Sequence, residues 1–280
     1  MATTHGLSPE QRGFYEENGY VLARGVFTRA EAADLRAEAH ALAARLQDAA
    51  RSIDATWASV RTTDPAKRTV ILHCHDVQFH AAAFARMIVD PRLTAVAQAV
   101  VGPNVQLHHT KMFIKPPERG SPFPMHQDHP YFPHARHSMI AAIVHLDDAP
   151  VEKGCVRVVP GSHKLGPIPT TTPDHSLPPD RYPIESAVPC PAEAGDVLVF
   201  NYLTIHGSGV NVSGEARTTV LVQMRDPTDP PTVRAHESRG QGMMLAGIDP
   251  TTGAGAAKWD KPAAEGAAMG MGGMAPATGR

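Results

Sequence analysis

At Asn104 the chain changes period. Beyond it come short runs rich in β-branched and apolar residues, "VQLHHTKMFIK", "SMIAAIVHL", "CVRVVP", "DVLVFNY" and "TTVLVQMR", divided by clusters of Pro, Gly and Asp. Strands at such intervals predict a sandwich or a barrel. The first hundred residues read differently. In "SPEQRGFYEENG", Ser8 caps a helix that has Pro9 at its first position and Gln11 closing a capping box, and Gly19 ends it. "GYVLARGVF" is predicted as a strand. "TRAE" at 28–31 is a second capping box, opening an Ala/Leu/Arg-rich helix to about Ala50. A third helix starts at Asp90-Pro91 and stops at Gly102, and a short strand is expected near 69–73.

A chain of 280 residues with 42% hydrophobic content supports one sizeable domain. Its 26 basic and 28 acidic side chains leave no field to recruit nucleic acid or an anionic membrane. Cys74, Cys155 and Cys190 are far apart and form no C-x-x-C, which argues against a disulfide framework and a zinc knuckle and for a reducing compartment. The opening residues lack a secretory pattern, no apolar run is long enough to span a bilayer, and the final "TGR" is not a peroxisomal S-K-L address, so the expectation is a cytoplasmic protein. The Pro/Thr/Asp-rich stretch from Gly166 to Pro183 is long for a loop and is read as an active-site lid or a disordered excursion. Residues 251–280, rich in Gly, Ala and Met, read as a flexible tail.

Chemistry enters at "FPMHQDHPYF", residues 123–132. With 16 His in the chain, about one H-x-D is expected by chance, and two occur: His126/Asp128 and His145/Asp147. On a strand, residues two apart share a face, so His126 and Asp128 can present a nitrogen and a carboxylate oxygen to one ion while Gln127 points away. "DVLVFNYLTIHGSG" places His206 at the mouth of a turn, and Arg217 opens a further strand. Two His and one carboxylate on one face of a metal leave positions open for a bidentate 2-oxo acid and dioxygen, the arrangement of non-haem iron(II) oxygenases. A guanidinium such as that of Arg217 would then meet the far carboxylate with two parallel hydrogen bonds. His145 and Asp147, by contrast, read as a strand residue and a turn carboxylate. His73 and His75 share a face but read as ordinary strand histidines, at most one of His108 and His109 can face a pocket, and His163 belongs to a turn around Gly161. His129, Tyr131, Phe132 and Gln127, next to the candidate ligands, are the candidate substrate contacts.

Together, "HHTKMFIKPP", "PMHQDHPYFP", "LDDAPVEKGCVRVVPGSHK", "AGDVLVFNYLTIHGSGVN" and Arg217 resemble the phytanoyl-CoA dioxygenase family of iron(II)- and 2-oxoglutarate-dependent oxygenases, over most of residues 8–226. The resemblance implies a double-stranded β-helix, jelly-roll or cupin-like, mainly β and buttressed by N-terminal helices. The expected domain is 1–250, with a mostly helical 1–103 and a β-helix core at 104–226. It implies His126, Asp128 and His206 as iron ligands, Arg217 and Ser208 on the tail carboxylate of 2-oxoglutarate, and Lys111 and Ile143 lining the co-substrate pocket. The family member that hydroxylates phytanoyl-CoA has an aromatic residue where this chain has Ile143, which speaks against that substrate. Family halogenases replace the carboxylate ligand by a small residue, so Asp128 favours hydroxylation or a related oxidation. The implied partners are dioxygen and a small organic substrate, a secondary metabolite or an acyl-CoA met by Arg119, Arg136 and Lys164. The alternative is a metal-binding cupin without oxygenase activity, which has no use for Arg217. Because the tail has too little apolar surface to repay its ordering, deleting the chain from Gly253 onward is expected to leave melting temperature and iron content unchanged. A large fall in either would show that the tail docks on the domain.

Overall fold

The computed structural model describes residues 6–49, 54–55, 71–117 and 122–252. The tail from residue 253, and Arg119, lie outside the described residues. No helix among the described residues is long and apolar enough to cross a membrane.

Both capping boxes form. Ser8 and Gln11 exchange side-chain and backbone hydrogen bonds at the start of α1 (Pro9–Asn18), and Thr28 and Glu31 do so at α2 (Arg29–Asp48). Gly19 ends α1 in the left-handed conformation, φ 78°. Asp90 caps α4 (Pro91–Val101), and a helix not anticipated from the sequence, α3 (Ala82–Ile88), precedes it. α3 has no side-chain cap and only seven residues, so its local signal is weak, and buried Phe84, Met87 and Ile88 hold it in place.

The strands are β1 (Tyr20–Ala23), β2 (Asp54–Ala55), β3 (Ile71–His75), β4 (Val105–Lys115), β5 (Phe123–His126), β6 (Ile140–His145), β7 (Val156–Val158), β8 (Val188–Cys190), β9 (Val197–Asn201), β10 (His206–Ser208), β11 (Arg217–Arg225) and β12 (Met244–Ala246). They form a large antiparallel sheet in the order β1-β9-β6-β11-β4-β3-β2, with β12 added on β4, and a small sheet β5-β10-β7-β8. Alternation sorts the large sheet into two faces. Met112, Ile114, Val144, Val199, Val220 and Val222 pack with helix residues such as Leu35, Leu42, Phe84 and Leu93 into the main core. The opposite face turns Leu198, Phe200, Ile143 and Leu221 toward Val156, Val158 and Cys190 of the small sheet. Two facing antiparallel sheets buttressed by helices are the cupin-like architecture expected for the chain.

The Gly166–Pro183 stretch is neither a free lid nor an excursion. Leu177 is buried with Met125 and Ile205, Ile168 and Tyr182 pack beside them, and Leu177 N–H donates to Met125 O at 2.8 Å. It forms a wall of the barrel end that holds His126.

Gly195 marks the turn into β9. It has φ 99°, its carbonyl accepts from Phe27 N–H, and its own N–H donates to His145 O. A Cβ there would strike the Phe27 carbonyl, a backbone atom that cannot swing away. Gly195→Ala is expected to destabilise the fold by about 3 kcal/mol, read as the midpoint of denaturant unfolding. An unchanged midpoint would mean the turn has another conformation open to it.

Candidate functional site

His126 is the last residue of β5 and His206 the first of β10, and the two are direct partners in the antiparallel register. Their rings lie 4.3 Å apart. Each imidazole is anchored through Nδ1, His126 to Pro124 O at 2.7 Å and His206 to Thr204 O at 3.0 Å. Donating Nδ1–H to a carbonyl turns the Nε2 lone pair forward, the usual arrangement behind a metal ligand. Both Nε2 atoms face Asp128 Oδ1, at 3.6 and 3.7 Å. Asp128 Oδ2 accepts from Gln223 Nε2 at 2.7 Å.

The carboxylate does not arrive by strand alternation. β5 ends at His126, Asp128 has helical φ −74° and ψ −24°, and the chain enters a 3-10 turn at His129–Tyr131. The Asp128 and His129 N–H groups both donate to Tyr202 O, at 2.9 and 3.2 Å, and this pins the turn. Burial alone would raise the Asp128 carboxyl, but His206, His126 and Gln223 together hold it below the ordinary carboxylate range. Burial pushes the His206 imidazole down to about 4, with His126 adding to the shift, so it is neutral and able to ligate at pH 7. The ligand atoms of His126, Asp128 and His206 lie within 4.8 Å of one another, and this is the one such group of His, Cys, Asp and Glu among the described residues. Two imidazole nitrogens and one carboxylate oxygen, each braced from behind, fit a ferrous ion.

The second H-x-D pair is structural. Asp147 Oδ1 accepts from Arg36 Nε at 2.5 Å and Oδ2 from Thr218 N–H at 2.8 Å, tying α2 to β11 rather than opening a turn. His145 is fully buried at the end of β6.

A cavity of about 330 Å³ opens from the triad. At one end of it Arg217, the first residue of β11, is 3% exposed, donates to Gly154 O and leaves Nε without a partner. Among the described residues no carboxylate pairs with it. Burial pushes its guanidinium down to about 10, still a cation at neutral pH. Ser208 lines the same end, and behind it the fully buried Lys115 donates to Ser208 Oγ at 2.8 Å and Gly209 O at 2.6 Å. Lys115 is the register partner of Arg217, a pairing invisible until β4 and β11 are aligned. Burial, then Arg217, holds the Lys115 ammonium well below its ordinary value.

Lys111 and Ile143 line the cavity, as do Tyr131 and Phe132. Gln127 and His129 do not, which corrects their expected place among the substrate contacts. Gln127 is 1% exposed and spends its amide on Gly166 O, Leu203 O and Ile168 N–H, bracing the Gly166–Pro183 wall. His129 packs on His137 and Tyr202. Tyr131 joins the wall through its hydroxyl, which donates to Asp174 O at 2.5 Å. Sequence reasoning missed Gln223 and His236 and set His75 aside, yet all three line the cavity, with His109. Position 223 lies six residues along β11 from Arg217, on the same face, so alternation alone could have found it. The turn at Gly161 forms as expected, with φ 74°. Arg136 and Lys164, weighed as nucleotide contacts, are paired with Asp226 and Glu17.

The family model for phytanoyl-CoA dioxygenase matches residues 15–219. The chain belongs to the phytanoyl-CoA dioxygenase family. It is 29% identical to the peroxisomal phytanoyl-CoA dioxygenase of Bos taurus over 235 residues, covering 79% of this chain and 69% of that one. Against ectoine dioxygenase of Bordetella parapertussis it is 27% identical over 250 residues, 80% of this chain and 78% of the other. It spans between 64% and 69% of the bovine and rat phytanoyl-CoA dioxygenases. Among solved structures, the epimerase SnoN in complex with Fe3+, alpha ketoglutarate and nogalamycin RO superposes with a TM-score of 0.63 at 27% identity, over 86% of this chain and 96% of that one. Membership places the protein in the class of iron- and 2-oxoglutarate-dependent dioxygenases, whose cofactors the triad and cavity fit.

A three-ligand site that loses its carboxylate should lose most of its metal, whereas a carboxylate that ties a helix to a strand, replaced by its amide, costs stability alone. Asp128→Ala is therefore expected to abolish iron retention and succinate formation. Asp147→Asn should retain both and lose about 1–2 kcal/mol of stability. Iron analysis with a coupled succinate assay separates them, and an iron-free Asp147→Asn would move the metal to the second pair.

Proposed function

We propose that the protein oxidises an aliphatic C–H bond of a small organic substrate, by hydroxylation or a related oxidation, with His126, Asp128 and His206 holding the iron. The observation that carries this reading is Arg217, a buried guanidinium without a carboxylate partner among the described residues, in the same cavity as the triad. An unpaired buried cation is costly unless a ligand neutralises it. A dicarboxylate chelating a metal at the triad brings that ligand.

When bound, iron and 2-oxoglutarate supply the oxidant, one oxygen atom of dioxygen going to the substrate and the other leaving in succinate with release of carbon dioxide. The chain supplies the placement. Arg217 meets the tail carboxylate with two parallel donors. Ser208 accepts from Lys115, which frees its own hydroxyl hydrogen for the same carboxylate. Ile143 and the methylene stem of Lys111 line the carbon chain between. Gln223 fixes Asp128 so that its other oxygen faces the metal position. Tyr131 and Phe132 wall the substrate side and exclude water.

Asp128 fills the position that a halogenase would leave open. The ion-paired Arg136 and Lys164 and the modest cavity support a small metabolite over an acyl-CoA. A cupin of another activity has no role for Arg217.

Arg217→Lys keeps the charge and loses the two-pronged geometry, at a cost on the order of 1.5–3 kcal/mol, or roughly tenfold to a hundredfold in 2-oxoglutarate affinity. Anaerobic titration of the iron(II) protein, followed by the visible charge-transfer band of a chelated 2-oxo acid, measures it. An unchanged affinity removes Arg217 from the role. A wild-type protein that develops no band supports the non-oxygenase cupin instead.

A further inference from the structure

Lys111 lies mid-way along β4, opposite Leu221 of β11, and its side chain enters the cavity. Its ammonium rests against the Phe113 ring, 4.9 Å from the centroid. Among the described residues it makes no ion pair, and Asp128 is the anion whose field reaches it. Burial lowers it to about 8, so it remains mostly charged at neutral pH.

On the reading proposed above, on which this inference rests, the charges inside the cavity can be counted. The two charges of the iron are met by Asp128 and the chelating carboxylate of the co-substrate. Arg217 is met by the tail carboxylate. The Lys111 ammonium is left over, and Asp128 is the one carboxylate among the described residues that line the cavity.

The surroundings of Lys111 are built of neutral donors. His75, His109 and His236 line the cavity beside it, with ring centroids 6.4 Å apart for His75 and His109, 5.5 Å for His75 and His236, and 4.4 Å for His109 and His236. His109 is buried, whereas His75 and His236 stay open to solvent on one side; partial desolvation, with Lys111 next for His75 and His236, keeps these imidazoles below their ordinary range. Each therefore carries one N–H and one lone pair without a charge. The rings of His75 and His236 make no hydrogen bond among the described residues, and His109 leaves Nε2 after its Nδ1 meets His108 Nδ1 at 2.7 Å. His236 holds left-handed backbone, φ 53°, a conformation that costs energy for a residue with a side chain. The three rings do not form a second metal group with their ligand atoms in mutual reach. A mobile point charge ringed by uncharged N–H donors matches an oxyanion.

We infer that the substrate of this enzyme is an organic acid whose carboxylate docks on the Lys111 ammonium among the imidazoles of His75, His109 and His236. The acid group and the metal ligands share one cavity, so a small acid anchored at Lys111 keeps its carbon skeleton beside the triad. A neutral analogue of the same shape is rejected because it leaves the ammonium unpaired.

The test uses the full chain loaded with iron(II) and saturated with 2-oxoglutarate under anaerobic conditions, so that Arg217 is already occupied. Binding of hexanoate and benzoate is compared by calorimetry with that of hexanamide and benzamide. The expected result is a preference of roughly tenfold for each acid over its amide, erased in Lys111→Met and largely kept in Lys111→Arg. His236→Phe, which keeps a ring and removes the donors, should weaken acid binding several-fold, and decides the matter if Lys111→Met does not fold. Equal binding of acid and amide by the wild type, or the full preference surviving in Lys111→Met, overturns the inference. Tighter binding of phenyl phosphate than of benzoate by more than tenfold overturns the carboxylate assignment. Failure of the parent reading shows separately, as absence of the charge-transfer band before any acid is added.

Discussion

The antiparallel pairing of β5 with β10 is the contact on which the site depends. It sets His126 opposite His206, and β10 in turn pairs with β7, so the two imidazoles are held by backbone hydrogen bonds rather than by side-chain packing. Each ring is turned by a carbonyl two residues earlier in its own chain segment, Pro124 O and Thr204 O. With both nitrogens placed in this way, one carboxylate completes a facial set, and the turn pinned on Tyr202 O delivers it. Rigid backbone positions the ligands, and the metal has little left to organise.

The electrostatics run in the opposite direction from those of a stable core. Arg217 and Lys115 are buried with carbonyl and hydroxyl oxygens for partners, and Lys111 enters the cavity without an ion pair among the described residues. Such cations raise the free energy of the ligand-free fold, and an anion that bound the folded state alone would return it as affinity. The helix side of the large sheet supplies the compensating stability through its apolar face. The same sheet therefore carries stability on one side and unmet charge on the other, divided by the alternation of β4 and β11.

Much of this was legible in advance where the interaction is local. Capping boxes at Ser8 and Thr28 are satisfied within three residues, so the helices they open appear as expected. The triad motifs were legible because they are compact, and Arg217 because it opens a strand with a clear β pattern. Asp128 was identified for an incomplete reason, since a turn and not a strand brings it to the metal face. Gln127 was misjudged because its partners, Gly166 O and Leu203 O, lie far along the chain. His236 and Lys115 went unread because each acquires its role from a distant segment: His236 through the cavity shared with Lys111, and Lys115 through its register with Arg217.

By itself, then, the sequence determined much of the order of helices and strands, the sheet-forming half of the chain, and a short set of candidate ligand residues, His126, Asp128, His206 and Arg217. Those properties follow from periodicity, capping and donor chemistry, which act over a few residues. Only the tertiary structure decided which of the 16 histidines meet, which H-x-D pair turns inward, and where a lysine stands without its counter-charge. Strand register decides such matters, because a shift of one residue sends every side chain to the other face, and register is set by the pairing of segments a hundred residues apart, such as Arg217 with Lys115.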